Sequence, residues 1–341
     1  MSEAKSGGLL SRLKVDKYLL LIVSMVVAAS FLPARGEAAV AFGWATKIAI
    51  GLVFFLHGAR LSREAVVGGL THWRLHLVVM AATFALFPLL CLGLAALPAW
   101  IMPSALAGGV VFLGCLPSTI QSSIGFTVIA RGNVAAAVAA ASASNLFGIV
   151  LTPILVGLLM HAKSAISPSS AWSIVAQLLL PFVAGQVARQ WIGGWVTRYA
   201  KVVQIVDRGS ILLVVYTAFS SAVVEGVWSQ ISALDLVRLL VICAVLLAAV
   251  LAATYFAARA LGFSKPDEIA IVFCGSKKSL ASGVPMAGVL FPAATAGLAL
   301  LPLMLFHQIQ LMACAVIAQQ YAKRADLEPV SGSPLPGSGV A

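Results

Sequence analysis

The feature that most constrains this chain is a succession of apolar segments, each long enough to cross a lipid bilayer. Charged residues make up only 10% of the sequence and hydrophobic residues 61%, with a mean hydropathy of +1.03. A soluble domain carries about 25% charged residues, so this chain requires lipid as its solvent. Spanning backbone must satisfy its own hydrogen bonds, which favours helices. The sequence predicts an all-α membrane protein with ten transmembrane helices, roughly over residues 17–34, 40–59, 74–97, 104–130, 134–160, 171–190, 205–225, 234–261, 267–291 and 299–322.

The basic residues lie in the short gaps between these segments. In a ten-helix arrangement sixteen lysines and arginines fall on one side, and the other side receives only Arg35, Lys47, Lys163 and Arg238. The positive-inside rule assigns the richer side to the cytoplasm, which predicts a cell inner-membrane protein with both termini cytoplasmic. The net charge of +11 forms no basic stripe of the kind that nucleic acid requires. We therefore expect the lipid bilayer as a partner and no nucleic acid.

The chain divides into two halves of five helices. Residues 1–16 are predicted to be a cytoplasmic N-terminus, residues 17–160 a first five-helix repeat and residues 171–322 a second five-helix repeat. The first segment is followed by a poor small-residue cleavage site, so we expect it to be retained as a helix and not removed as a signal peptide. Residues 326–341 are rich in Gly, Ser and Pro and are predicted to be a disordered C-terminal tail.

Polar clusters interrupt the fourth and ninth segments at matching places, about half the chain apart. Proline removes a backbone donor and glycine lowers helical preference. Paired interrupted helices in two repeats are the sequence signature of a transporter's central binding site. The alternative is a proline kink with small packing residues, which is common in membrane helices. The candidate substrate- or ion-binding residues are Pro117, Ser118, Thr119, Gln121, Ser122 and Ser123 in the fourth segment, and Gly275, Ser276, Lys277 and Lys278 in the ninth.

The adjacent lysines, Lys277 and Lys278, are the least expected residues of the ninth segment. A lysine at the bilayer centre costs roughly 2.5–3.5 kcal/mol on insertion scales. Asp267 and Glu268 begin this segment about 15 Å earlier, which predicts that the lysines lie near mid-membrane and not at an interface. No carboxylate is predicted at that depth, so the sequence offers no Asp/Glu proton relay.

With these residues the chain resembles the bile acid:sodium symporter superfamily, and within it the SBF-like subgroup. The resemblance extends from about residue 15 to residue 324, and its main carriers are 51–58 (GLVFFLHG), 115–123 (CLPSTIQSS), 131–134 (RGNV), 144–148 (SNLFG) and 274–279 (CGSKKS). It implies two inverted five-helix repeats. In that fold a panel of the first, second, sixth and seventh helices faces a core that contains the broken, crossed helices 4 and 9. It also implies transport of organic anions by alternating access.

The sequence departs from the sodium-coupled relatives at the ninth helix. The resemblance maps their sodium-binding polar groups approximately onto Ser122, Ser123, Ser142 and Asn145, but their glutamate falls near Phe273 and a glutamine falls at Lys277. The sequence therefore argues against sodium and predicts no cofactor. Two hypotheses stay open: Lys277 or Lys278 replaces a bound sodium ion, or a lysine binds the substrate anion directly.

His57 is a further candidate because its side chain titrates near neutral pH; the alternative is a packing histidine. The five cysteines lack metal-ligand spacing, and no catalytic motif is present, so neither a metal site nor an enzyme is predicted. The leading prediction is a secondary transporter of a small organic anion. The alternatives are a membrane regulator or sensor that has lost transport, and a sodium-coupled symporter. Substrate identity and oligomeric state are not predicted.

Overall fold

The computed structural model describes residues 17–60, 72–160, 168–226 and 231–323, and every regular element in these ranges is a helix. The predicted cytoplasmic N-terminus (1–16) and the predicted disordered tail (326–341) lie outside the described residues. The helices are α1 (Lys17–Phe31), α2 (Gly36–Arg60), α3 (Trp73–Ala95), α4 (Ser104–Cys115), α5 (Gln121–Ile129), α6 (Val134–Met160), α7 (Pro168–Arg198), α8 (Ala200–Val224), α9 (Ala233–Ala260), α10 (Lys265–Gly275), α11 (Leu280–Leu290) and α12 (Ala293–Ala322).

Six of these helices are long and apolar enough to cross a membrane, namely α2, α3, α6, α8, α9 and α12. The shortest of them, α3, has 23 residues and is about 35 Å long at 1.5 Å per residue. The hydrocarbon core of a bilayer is about 30 Å thick. Two shorter apolar helices are Leu20–Phe31, within α1, and α4. The prediction of an all-α membrane protein with several crossings is therefore confirmed.

The fourth and ninth predicted segments are each divided into two helices at their polar clusters. In the fourth segment α4 ends at Cys115, Leu116 is extended with φ −75° and ψ 153°, and α5 begins at Gln121. In the ninth segment α10 ends at Gly275 and α11 begins at Leu280, where the Ser279 hydroxyl accepts a hydrogen bond from the Ser282 amide. Proline and glycine thus interrupt the helices where the sequence predicts.

Helices α1, α2, α7 and α8 pack on one another and form one layer, which we call the α2–α7 layer. Two glycines allow its tightest contact. A Cβ at Gly58 would lie 2.0 Å from the carbonyl oxygen of Phe182, and a Cβ at Gly185 would lie 1.9 Å from that of Phe55. Any larger side chain at either position would therefore force α2 and α7 apart.

The divided helices pack behind this layer, against α3, α6, α9 and α12. Two hydrogen bonds connect the loop before α6 to the start of α10. The Asn133 side-chain amide donates to the Asp267 carboxylate at 2.7 Å, and the Asn133 backbone amide donates to the Pro266 carbonyl at 2.9 Å. Ser264 caps α10, and Asp267 and Glu268 occupy its first turn, where negative charge is favourable. This anchor fixes α10, so the two lysines are held beyond its far end.

Candidate functional site

The two interruptions lie in direct contact. The Ser279 amide, at the start of α11, donates a hydrogen bond of 2.9 Å to the carbonyl oxygen of Pro117. Helix α6 packs closely behind the first interruption, because a Cβ at Gly148 would lie 2.7 Å from the Cβ of Pro117. We call this region, residues 114–123 and 273–282, the crossing.

An interrupted helix leaves carbonyl oxygens without their helical partners, and burying them without new partners is costly. At the first interruption α6 supplies the partners. The Thr152 hydroxyl donates to the Cys115 carbonyl at 2.8 Å, and the Asn145 amide donates to the Ser118 carbonyl at 2.6 Å. The Ser118 amide in turn donates to the Ser144 hydroxyl at 3.0 Å.

At the second interruption the partners come from the first interruption and from α12. The Ser123 hydroxyl donates to the Phe273 carbonyl at 2.9 Å, and the Ser118 hydroxyl donates to the Cys274 carbonyl at 2.5 Å. Gln310 of α12 forms two bonds of 2.9 Å with one residue, accepting from the Lys278 amide and donating to the Lys278 carbonyl. The crossing is thus stabilised by reciprocal hydrogen bonds between the halves of the chain.

The Lys278 ammonium lies in a cage of three carbonyl oxygens. It donates to Thr83 at 2.8 Å, to Gly114 at 2.7 Å and to Leu116 at 2.6 Å. The Gly114 carbonyl is available because its helical donor, the Ser118 amide, bonds to Ser144 instead. Leu116 lies beyond the end of α4. The cage therefore collects the negative, carbonyl end of α4 around one positive charge.

A π-helical turn in α3 supplies the third oxygen of this cage. Over Ala82–Leu86 the hydrogen bonds lengthen by one residue, so the Phe87 amide donates to Ala82 and not to Thr83. The next residue, Pro88, has no amide hydrogen to offer. The Thr83 carbonyl is therefore left without a helical donor, and the Lys278 ammonium takes it. π-turns of this kind occur frequently at functional sites.

The Lys277 ammonium has a different environment. It donates one hydrogen bond, of 2.9 Å, to the Ser122 carbonyl. Two aromatic rings cover it, with the Phe126 centroid at 3.9 Å and the Phe273 centroid at 5.0 Å, and such contacts stabilise a desolvated cation. Both lysine side chains are fully buried. Within the described ranges neither has a carboxylate within 4.0 Å, so oxygen dipoles and rings alone compensate their charge.

A cavity of about 650 Å³ separates the crossing from the α2–α7 layer. The first turns of α5 and α11 form part of its wall, through Gln121 and Ser122 on one side and Leu280 and Ser282 on the other. Polar groups of Ser142 and Asn145 and apolar side chains complete the wall. The apolar lining residues are Phe54, Val138, Leu146, Ile149, Phe182, Ile211, Met286 and Leu311.

Charged residues of the α2–α7 layer line another part of this cavity. Arg60 of α2 forms an ion pair with Asp207 of α8, and His57 Nε2 lies 4.0 Å from the same carboxylate. The Arg208 guanidinium lies over the Tyr18 ring at 5.0 Å. This cluster places arginine and aspartate side chains together in one part of a cavity wall that is otherwise largely apolar.

The structure divides the candidate residues into two groups. Neither lysine belongs to the cavity wall, because both side chains are buried in the crossing behind it. The cavity wall contains His57, Thr119, Gln121, Ser122, Ser142 and Asn145, whereas the interior of the crossing holds Pro117, Ser118, Ser123, Gly275, Ser276, Lys277 and Lys278.

Sequence reasoning missed several residues that the site uses, namely Thr83, Arg60, Asp207 and Ser282, and it did not assign Gln310 to the crossing. Pro88 was a usable signal, because a proline inside an apolar segment frees a carbonyl oxygen. For Gln310 the signal was the need for a partner at the second interruption. Ser282 is bonded to Asn145 at 2.7 Å, a pairing that only the fold defines.

In the described part of the chain, no group of three His, Cys, Asp or Glu residues could hold a metal ion. The five cysteines are free and buried. What the arrangement can bind is an anion, through the positive N-terminal ends of two helices, or a cation, through its oxygen-rich polar groups.

Two interrupted helices that meet beside a cavity, within a protein of several apolar helices, define a membrane transporter. The chain belongs to the SBF-like CPA transporter family, whose model matches residues 16–323. The predicted resemblance is confirmed, and so is the prediction that the protein is not an enzyme, because its family consists of transporters.

Three relatives span nearly the whole chain. The uncharacterized protein PA2026 of Pseudomonas aeruginosa is 56% identical over 91% of this chain and 94% of its own length. The Escherichia coli protein named "Putative symporter YfeH" is 52% identical over 92% of this chain and 94% of its own length. Sodium/bile acid cotransporter 7 of Rattus norvegicus is 28% identical over 91% of this chain and 93% of its own length.

Proposed function

We propose that this protein is a secondary transporter that carries a small organic anion across the cell inner membrane by alternating access. In this proposal α4 with α5, and α10 with α11, form the fourth and ninth of ten spans. Residues 17–160 and 171–322 are two inverted repeats, and both termini are cytoplasmic. The α2–α7 layer acts as the panel, and the crossing belongs to the core that moves against it.

The observation that carries the proposal is that the first turns of α5 and α11 both line the 650 Å³ cavity. Helix N-termini carry partial positive charge and unpaired amide donors, which favour a carboxylate or a similar anion. The apolar side chains of Phe54, Phe182 and Met286 would contact the body of such a substrate. The Ser122 and Ser142 hydroxyls would donate hydrogen bonds to its polar groups, whereas the Asn145 side-chain amide already donates to the Ser118 and Ala141 carbonyls.

For the lysines we propose ion replacement. Three carbonyl oxygens at 2.6–2.8 Å around the Lys278 ammonium resemble the oxygen shell that a monovalent cation requires. A tethered ammonium there supplies the charge without an ion, and Lys277 adds a second charge beside α5. Direct anion binding by either lysine receives less support, because both are buried behind the cavity wall.

A sodium-coupled symporter is the second candidate, and the rat relative favours it, since that protein is named a sodium/bile acid cotransporter. The hydroxyl and amide oxygens of Ser122, Ser142 and Asn145 line the cavity and are suitable ligands for sodium. However, the Ser122 carbonyl already accepts a hydrogen bond from Lys277. Sodium at that oxygen would have to displace an ammonium group.

The test is uptake by purified protein in liposomes, with a panel of labelled organic anions and either sodium or choline outside. We expect saturable, sodium-independent exchange of at least one anion, and a loss of more than tenfold in Lys278→Ala. Lys201→Ala, at an exposed lysine of α8 that forms no ion pair within the described residues, is the matched control. Uptake that requires sodium would favour the second candidate. Binding of an anion without any exchange across the panel would favour a sensor and refute the transporter.

A further inference from the structure

A second cavity, of about 790 Å³, lies where the ends of α2 and α7 meet the start of α8. Three arginines, Arg60, Arg189 and Arg198, line it together with small side chains. Its other lining residues are Ala59, Gly193, Gly194, Val196, Thr197 and Ala200. A pocket with three guanidinium groups and no acidic residue among the described residues of its lining is suited to an anion.

Two of these guanidinium groups have no acidic partner among the residues that the structure describes. Arg60 pairs with Asp207, but within the described ranges neither Arg189 nor Arg198 has a carboxylate within 4.0 Å. The stem of Arg189 lies against Gly193, where an added Cβ would come within 3.1 Å of Arg189 Cγ. The glycine thus leaves room for the arginine to extend along α7 toward the pocket.

Aromatic side chains mark the depth of this pocket in the membrane. Trp191, Trp195 and Tyr199 follow at intervals of four residues, so they share one face at the end of α7. They are 73%, 51% and 42% exposed, and the rings of Trp195 and Tyr199 are 5.3 Å apart. Exposed tryptophan and tyrosine are typical of the interface between lipid headgroups and acyl chains. The arginines therefore lie at headgroup level.

We infer that this pocket binds the phosphate group of an anionic phospholipid. Arginine presents paired donors that match phosphate oxygens, and basic pockets between membrane helices bind anionic headgroups. The exposed aromatic residues on the same turns of α7 would contact the surrounding acyl chains. Arg189 and Arg198 bind the phosphate, and Arg60, which lines both cavities, brings the lipid next to the transport cavity. In the orientation of the proposed function this end of α7 lies in the cytoplasmic leaflet, and only that choice of leaflet rests on the proposed function.

The test measures quenching of tryptophan fluorescence in the full chain, in mixed micelles that contain either brominated phosphatidylglycerol or brominated phosphatidylcholine. Trp191 and Trp195 lie on the same turns of α7 as Arg189, Gly193 and Arg198, so a lipid held at this level lies close to them. We therefore expect stronger quenching by phosphatidylglycerol at equal mole fraction. The double variant R189Q/R198Q should weaken this preference by roughly fivefold for each arginine. Arg259→Gln, an exposed arginine on α9, is the matched control and should keep the preference.

Two outcomes would overturn the inference. One is equal quenching by the two lipids in the unmodified protein, which needs no variant to fold. The other is a full preference retained in R189Q/R198Q. Soluble glycerol phosphate distinguishes the source of the phosphate: displacement of the lipid at equal concentration would assign the pocket to a soluble anion and exclude a lipid occupant. None of these measurements requires transport, so the inference can fail while the proposed function holds.

Discussion

The first interruption ends α4 at Cys115 and presents carbonyl oxygens, whereas the second ends α10 at Gly275 and presents two ammonium groups. The Gly114 and Leu116 carbonyls accept from Lys278, and the Ser122 carbonyl, in the first turn of α5, accepts from Lys277. Similar sequence patterns therefore have complementary chemistry. In the crossing, carbonyl oxygens of the first half of the chain therefore accept hydrogen bonds from ammonium groups of the second half.

Loss of the Lys278 ammonium should have the largest effect on this complementarity. In Lys278→Met an apolar side chain replaces the ammonium, and three buried carbonyl oxygens lose their partner. Each unsatisfied oxygen costs about 1–3 kcal/mol, so we expect a loss of at least about 3 kcal/mol in the free energy of unfolding. Thermal unfolding followed with a thiol-reactive dye measures it, since all five cysteines are buried. Equal stability of Lys278→Met and Lys201→Met, a control at an exposed lysine of α8 that forms no ion pair within the described residues, would contradict the cage.

In Lys278→Ala the ammonium group is removed, and the short alanine side chain leaves the space between the three carbonyl oxygens empty. If the ammonium replaces a monovalent cation, sodium should stabilise this variant and leave the unmodified protein unaffected. Binding to the folded state raises stability by about 2.7 kcal/mol at a hundredfold excess over Kd. The measurement is the melting temperature in sodium against choline at constant ionic strength. A sodium response in the unmodified protein, absent from the variant, would reverse the interpretation.

Gln310→Leu breaks the second interruption and leaves the first intact, because the Gln310 side chain bonds both backbone groups of Lys278 and, on its own helix, His307 Nδ1 at 2.8 Å. Hydrogen bonds between membrane helices average about 0.6 kcal/mol and reach about 1.7 kcal/mol. We therefore expect a loss of about 1–2 kcal/mol in thermal unfolding. Gln308→Leu is the matched control on the same helix, since the Gln308 side chain forms no hydrogen bond within the described residues. A control as destabilised as Gln310→Leu would assign the effect to packing of α12.

Thr152→Val breaks the first interruption alone and should have the smallest effect. It removes one hydrogen bond to the Cys115 carbonyl and keeps the side-chain shape. The expected loss is about 0.6 kcal/mol in thermal unfolding. A larger loss of unfolding free energy in Thr152→Val than in Gln310→Leu would contradict this order. It would mean that the first interruption depends more on a single partner than the second does. The control is Thr295→Val, whose hydroxyl is exposed and bonds only within its own helix cap.

Much of the fold follows from the sequence because the bilayer imposes strong local rules. Apolar length predicts the spans, and Pro117 and Gly275 predict the interruptions. The π-turn at Ala82–Leu86 was not predicted, since it depends on the pairing of the Phe87 amide as well as on Pro88. The candidate site residues could be predicted from the sequence, because polar side chains are rare in apolar segments and therefore stand out there. Their division between cavity wall and crossing was not predictable, because it depends on which face each short helix presents.

From the amino-acid sequence alone it follows that this chain needs lipid, forms helices and carries two lysines in a broken apolar segment. These results follow from local composition and from the missing backbone donor at proline. The contacts of the Lys278 ammonium with carbonyls of two other helices, and the hydrogen bonds of Gln310 to the Lys278 backbone, depend on how the helices pack. The physical reason is that a buried charge requires several oxygen dipoles within about 3 Å, and only the packed helices bring Thr83, Gly114 and Leu116 to one point.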